Sequence, residues 1–269
     1  MLDTLLISAV ILGIVEGLTE FLPVSSTGHL ILAAELIGFT GPGSKVFEVV
    51  IQLGAILAVC WVYRERLFNA LTGLLTDPAA QRFVANIVIA FLPAAVAGVL
   101  LHRFIKEVLF SPWVVAVSLI VGGFLILLIE RIRPLPRVRI IEGMPLRTAL
   151  AVGFCQILAM IPGVSRAGAT IMGGLMLGVS RPAATEFSFF LAIPTMFGAT
   201  FYDLYKSRGE LSFDNGAVIA VGFVVAFFAA LVVVRWLVDF VAKHGFGVFA
   251  WYRIALGTIA LIALWYARS

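Results

Sequence analysis

Glu16 and Glu20 stand four residues apart and are followed by Ser25, Ser26, Thr27 and His29, all within an otherwise apolar stretch. In a helix that spacing puts both carboxylates on one face. Two like charges in an apolar setting are costly unless a proton or a cation joins them. Ser25, Ser26 and Thr27 follow Pro23, so they can cap and open a helix. A helix start also presents free N–H groups and the positive end of the helix dipole, which suit an anion. His29 lies one turn after Ser26. A hydroxyl, an imidazole and two carboxylates converging on such an end fit phosphoryl or acyl transfer. Three routes stay open: attack by Ser26 with His29 as base or as acid for the leaving group, attack by water activated by His29, and attack by His29 itself. The plain alternative is a helix cap beside a wet rim of solvated carboxylates.

A second constellation, Pro162-Gly163-Val164-Ser165-Arg166 with Thr170 one turn on, also interrupts an apolar run. An arginine at such a place needs an anionic partner, and its planar fork matches phosphate. An ion pair with Glu16 or Glu20 would satisfy it equally well. Shifting the numbering by 140 lays Gly13 on Gly153, Glu16 on Gln156, Val24 on Val164, Ser25 on Ser165, Gly28 on Gly168 and Gly38 on Gly178. The first copy keeps the acids and His29, whereas the second carries Gln156, Met160 and Ala169 in their place and gains Arg166. Glu16, Glu20, Ser26 and His29 thus read as the reactive half and Arg166 as the clamp. Ser25, Thr27, Gly163, Ser165 and Thr170 are the further substrate contacts, and Glu16 with Glu20 would hold a cation. Glu48, Gln52 and Glu186 carry weaker signals, and Arg253, near a helix start, reads as a snorkelling side chain.

The elements that must position these residues are set by the solvent. Of 269 residues 62% are hydrophobic and 13% charged, with a mean hydropathy of +1.10, against about 25% charged residues in a soluble domain. The net charge of +4 comes with no basic cluster interleaved with aromatics, which argues against nucleic acid. Cys60 and Cys155 lie in apolar runs without metal-ligand spacing and read as packing residues. The first apolar run lacks the basic start and small-residue cleavage site of a signal peptide and carries Glu16 and Glu20.

Six stretches, about 46–63, 83–101, 112–129, 184–202, 216–238 and 248–266, have the length and apolarity of a membrane-crossing helix. Runs 4–37 and 146–178 are broken by Pro23 and Pro162 into short half-helices, predicting hairpins that enter and leave on one side. The expected fold is therefore an all-α integral membrane protein with an inverted-topology repeat. It has six transmembrane helices and two re-entrant helix–loop–helix hairpins in a single domain over 1–269. Repeat one spans 1–135 and repeat two 140–269. One hairpin and three spans per repeat force the second copy upside down, so the broken elements meet near the midplane. On this topology one face collects eleven basic residues, from Arg64, Arg66 and Arg82, the 131–147 loop, Arg181, Arg235 and Lys243. The other face holds six: Lys45, Arg103, Lys106, Lys206, Arg208 and Arg268. The richer face is expected to be cytoplasmic, with both termini and the first hairpin's mouth outside.

The run Glu16-Gly17-Leu18-Thr19-Glu20-Phe21-Leu22-Pro23-Val24-Ser25-Ser26-Thr27-Gly28-His29, together with Pro162 to Arg166 and Thr170, resembles the bacterial undecaprenyl-diphosphate phosphatases, or bacitracin-resistance proteins. The resemblance covers essentially the whole chain. It implies hydrolysis of undecaprenyl diphosphate to the monophosphate and inorganic phosphate, which recycles the lipid carrier for peptidoglycan and other envelope polymers. It also implies dependence on a divalent cation (Mg2+ or Ca2+) and a site opening to the outer face of the bacterial cytoplasmic membrane. The partners it implies are a polyprenyl diphosphate lipid and the membrane, and a homodimer is compatible with it. Ala167 departs from the pattern, which usually has serine there. The rival reading is a transporter or flippase of an anionic lipid or other anion, because inverted repeats and broken helices are common among transporters.

Overall fold

The computed structural model describes residues 2–39, 44–104, 111–206 and 216–266, and these are almost entirely helical. The helices run α1 Leu2–Thr19, α2 Ser26–Leu36, α3 Ser44–Val62, α4 Arg64–Thr72, α5 Pro78–Phe104, α6 Pro112–Ile132, α7 Leu146–Ile157, α8 Arg166–Met176, α9 Arg181–Lys206, α10 Gly216–His244 and α11 Gly247–Tyr266. Apart from their loops, the six expected spans fall within α3, α5, α6, α9, α10 and α11. Four of these (α5, α6, α10 and α11) are long and apolar enough to cross a membrane on their own; α3 makes a fifth when joined to α4, from which it is bent by 73°. The chain is an all-α integral membrane protein. Lys106, Arg208 and Arg268, assigned to the less basic face, lie outside the described residues, as do the side chains of Lys45, Arg103 and Lys206.

The broken regions form helix–loop–helix hairpins, α1–α2 and α7–α8. They match at an offset of 140 in more than sequence. Ser25 and Ser165 both cap their helices from the left-handed region (φ 72° and 74°), each side chain accepting from the backbone N–H three residues on, Gly28 or Gly168. A non-glycine residue there costs about 1–2 kcal/mol, so the cap must hold it. α2 and α8 each run for 11 residues and end before Gly38 and Gly178, also at positive φ. One arm differs from expectation: α1 has 18 residues, a rise of roughly 27 Å, because nothing in Leu2–Thr19 interrupts the helix. It is nearly a full span and no half-helix.

Packing repeats the exchange. α1 lies on α10 as α7 lies on α5, and α6 pairs with α11. Both hairpin helices approach at glycines: a Cβ on Gly17 would stand 2.4 Å from the Ala226 carbonyl oxygen, and one on Gly153 2.3 Å from that of Ala90. Without a hydrophobic force between helices in lipid, such close backbone approach is a main source of association.

One end of the bundle is tied by ions. Arg66 bonds Glu142 at 2.5 Å and Glu186 at 3.1 Å, and Arg181 pairs with Glu130, which also accepts from the Phe246 N–H at 3.1 Å. Glu186 therefore belongs to this end. Arg253 does not snorkel: it is 1% exposed, among the most buried side chains of the fold.

Candidate functional site

The hairpin loops place their short helices start to start. Glu20, Ser25, Ser26, Thr27, Gly163, Ser165 and Arg166 line one cavity of about 240 Å³, closed by Gln52 of α3 and by Thr195 and Met196 of α9. Its size suits an anionic head group. Two helix N-termini open on it, doubling the dipole contribution for an anion.

The reactive groups are already bonded to one another. Ser26 Oγ donates a very short hydrogen bond to Glu20 Oε2, and Arg166 Nη2 donates to Glu20 Oε1 at 3.0 Å. Glu20 and Arg166 are 9% and 12% exposed, so this is a pair between two hairpins in a nearly dry setting. Arg166 is held further by the Ser188 carbonyl at 3.1 Å and lies over the Phe21 ring. Its Nε has no hydrogen-bond partner among the described residues. Ser165 Oγ reaches across to the Leu22 carbonyl at 3.3 Å, a second link between the hairpins. Gly163 has φ +91°, and a Cβ there would meet the Val115 carbonyl oxygen at 2.6 Å, so this loop lies tight against α6.

Glu16 sits one turn before Glu20, wholly buried, and among the described residues neither carboxylate oxygen has a hydrogen-bond partner. An ionised carboxylate so placed is strongly unfavourable unless a cation or a proton joins it. The described residues hold no cluster of three or more His, Cys, Asp or Glu side chains. A hard cation such as Mg2+ needs only one or two carboxylates when phosphate oxygens complete its shell; of the two, Glu20 faces the cavity with its oxygens on Ser26 and Arg166, and Glu16 lies behind it.

Three candidates lie off the cavity wall: Glu16, buried one turn behind Glu20, and His29 and Thr170. His29 is absent from the cavity wall. Its Nδ1 is 2.7 Å from the Ser25 carbonyl, which can only accept, so Nδ1 carries the proton. Nε2 then accepts from the Tyr252 hydroxyl at 2.7 Å, with the two rings stacked. Helical spacing alone put His29 beside Ser26; the left-handed Ser25 and a distant tyrosine capture its ring instead. Thr170 is 1% exposed, and its hydroxyl bonds the Arg166 carbonyl and Ser188 inside the bundle. Ala167 is fully buried and off the cavity wall, so the serine it replaces would not face an anion there. Gln52, Thr195 and Met196 were not site candidates in the sequence. Gln52 alone carried a signal, as a polar residue inside an apolar span.

A separate apolar crevice of about 330 Å³ runs between α6, α7 and α8, with Leu125, Ile126, Cys155, Ala169 and Met172 among its walls.

Residues 9–259 match the family described as Bacitracin resistance protein BacA. The chain is 56% identical over 259 residues to "Undecaprenyl-diphosphatase 2" of Paramagnetospirillum magneticum, covering 96% of this chain and 99% of that protein. It is 58% identical over 258 residues to the "Undecaprenyl-diphosphatase" of Nitrosospira multiformis (96% and 94% covered). To that of Aromatoleum aromaticum it is 56% identical over 261 residues (97% and 95% covered).

Proposed function

The chain belongs to the Bacitracin resistance protein BacA family, and on that premise we propose that it hydrolyses undecaprenyl diphosphate to undecaprenyl phosphate and inorganic phosphate. The observation that carries the reading is the Ser26–Glu20–Arg166 chain of bonds, assembled from both hairpins on one anion-sized cavity. The reaction recycles a lipid carrier for envelope polymers and thereby counters bacitracin.

Ser26 Oγ attacks the terminal phosphorus and gives its proton to Glu20 Oε2. The bond from that phosphorus to the bridging oxygen breaks, and the lipid monophosphate leaves with the electron pair. Glu20 passes that proton to the departing monophosphate. Water then attacks the phosphoserine and gives a proton to Glu20, which returns it to Ser26 Oγ as the bond from Oγ to phosphorus breaks and inorganic phosphate departs. Arg166 and the two helix N-termini hold the phosphate oxygens as charge shifts onto the leaving oxygen. Glu16 and Glu20 would hold a divalent cation, which supplies Lewis-acid neutralisation of the diphosphate when bound. His29, proton on Nδ1, fixes the Ser25 backbone and through it the entrance to α2. The crevice between α6, α7 and α8 takes the isoprenoid chain. The cavity opens to the outer face of the cytoplasmic membrane, as the eleven basic residues on the other face favour.

The twofold helix arrangement is what favours the rival reading, an anion transporter. Reconstituted protein given a polyprenyl diphosphate decides between them. Phosphate release over many turnovers, lost on chelation and regained with Mg2+ or Ca2+, supports the phosphatase. Movement of the intact lipid across the bilayer without phosphate release would overturn it.

A further inference from the structure

Among the described residues, Arg253 of α11 is buried without any acidic partner, and its five hydrogen bonds all go to backbone carbonyls. Nη1 donates to Pro23 at 2.9 Å and to Val164 at 3.0 Å. Nη2 donates to Gly163 at 2.9 Å and to Ser118 at 3.0 Å, and Nε to Leu119 at 3.3 Å. Pro23 and Gly163 are the same position in the two repeats, 140 residues apart. One guanidinium thus bonds the matching carbonyl of each hairpin loop. The residue 140 before Arg253 is Trp113, so the second repeat alone supplies the cation.

Elementary accounting explains the arrangement. Both loops leave helical geometry inside the bundle, so their carbonyls lack ladder partners, and an unsatisfied backbone group away from water is expensive. Arginine alone offers five donors in a rigid fork. The fold makes room for it: a Cβ on Gly122 would lie 2.1 Å from Nη2.

We propose that Arg253 is the positioning residue of the phosphatase centre, a single fork that sets the register of the Ser26 loop against the Arg166 loop; this rests on the phosphatase reading above. Lysine keeps the charge but has three donors on a single nitrogen in place of the five-donor fork. Arg253→Lys is therefore expected to lower kcat on the order of 100-fold, the usual effect of about 1 Å of misplacement, with KM within threefold of wild type. Gly122→Ala, which displaces the fork without touching either loop, lowers kcat in the same way, and the double variant is no worse than Arg253→Lys alone.

The test measures phosphate release from a polyprenyl diphosphate and hydrogen exchange of the 20–28 and 161–168 amides, on detergent-purified proteins shown to be monodisperse. Faster exchange in both loops with the kcat loss supports the proposal. A kcat for Arg253→Lys within threefold of wild type, unchanged exchange in either loop, or multiplicative losses in the double variant would overturn it. If Arg253→Lys does not fold, Gly122→Ala is judged by the same two readouts. Wild-type protein that releases no phosphate defeats the functional reading instead, and loop exchange then decides the positioning role alone.

Discussion

Replacing Glu20 by glutamine keeps the side chain's shape and removes the acceptor that Ser26 uses. Glu20 now has one oxygen on Ser26 Oγ and the other on Arg166 at 3.0 Å. In Glu20→Gln the amide oxygen can still accept from Arg166, which leaves the NH2 group facing Ser26. A donor there cannot take the serine proton. General-base catalysis is worth roughly 10²–10⁴-fold, so the turnover rate should fall about 10³-fold, near 4 kcal/mol at 1.36 kcal/mol per decade. The Ser26 bond becomes a neutral one and Arg166 loses its counter-charge in a nearly dry setting, which costs stability on the order of 3–5 kcal/mol, so the folded fraction is measured for each protein. Initial rates of phosphate release at matched amounts of monodisperse protein, with acid-quenched samples assayed for phosphoserine, measure both effects. A Glu20→Gln rate within fivefold of wild type would refute the reasoning. So would a His29→Gln loss larger than that of Glu20→Gln accompanied by loss of the phosphoserine, since His29 would then be the base.

Further outcomes follow from the same geometry. A phosphorylated intermediate should be trapped in wild type and in His29→Ala but not in Ser26→Ala, as read by mass spectrometry of the 20–36 peptide. Ser165→Ala removes the α8 cap from a left-handed residue and the Leu22 link, so the thermal midpoint should drop by the equivalent of about 1–2 kcal/mol; an unchanged midpoint would count against the cap. Gly153→Ala forces α7 off α5 at a 2.3 Å approach and should cost about 1–3 kcal/mol, visible as a lower midpoint, whereas Gly38→Ala, whose Cβ would meet nothing within 4 Å, should be felt only through its positive φ.

Much of this was legible in the chain because broken helices advertise themselves chemically. Proline, glycine and capping serines recur at a 140-residue offset, and that offset alone brought Arg166 to the hairpin of Ser26, with phosphate, Glu16 and Glu20 all open as its partner. What stayed hidden lies in long-range capture. No local pattern separates a buried arginine that bonds five carbonyls from one that reaches the surface, so Arg253 read as a snorkelling residue. His29 shares a helix face with Ser26, yet its ring follows Ser25 and Tyr252, and no spacing rule contains a partner 223 residues away. Met196 and Thr195 joined the cavity because α9 packs on α8 and meets the first hairpin's loop at Phe21, a packing result that periodicity cannot supply. The length of α1 was missed for the opposite reason: the proline marks where the hairpin turns and says nothing of how far back its first arm extends.

The most direct measurement compares wild type with Arg166→Ala for phosphate release from a polyprenyl diphosphate, alongside binding of the same lipid. Arg166 comes from one hairpin and Ser26 and Glu20 from the other, so a single shared centre requires that its loss stop release. The expected result is a fall of at least 10³-fold at matched folded protein, with no phosphoserine formed. Release by Arg166→Ala within tenfold of wild type would contradict the claim that the two hairpins build one phosphatase site.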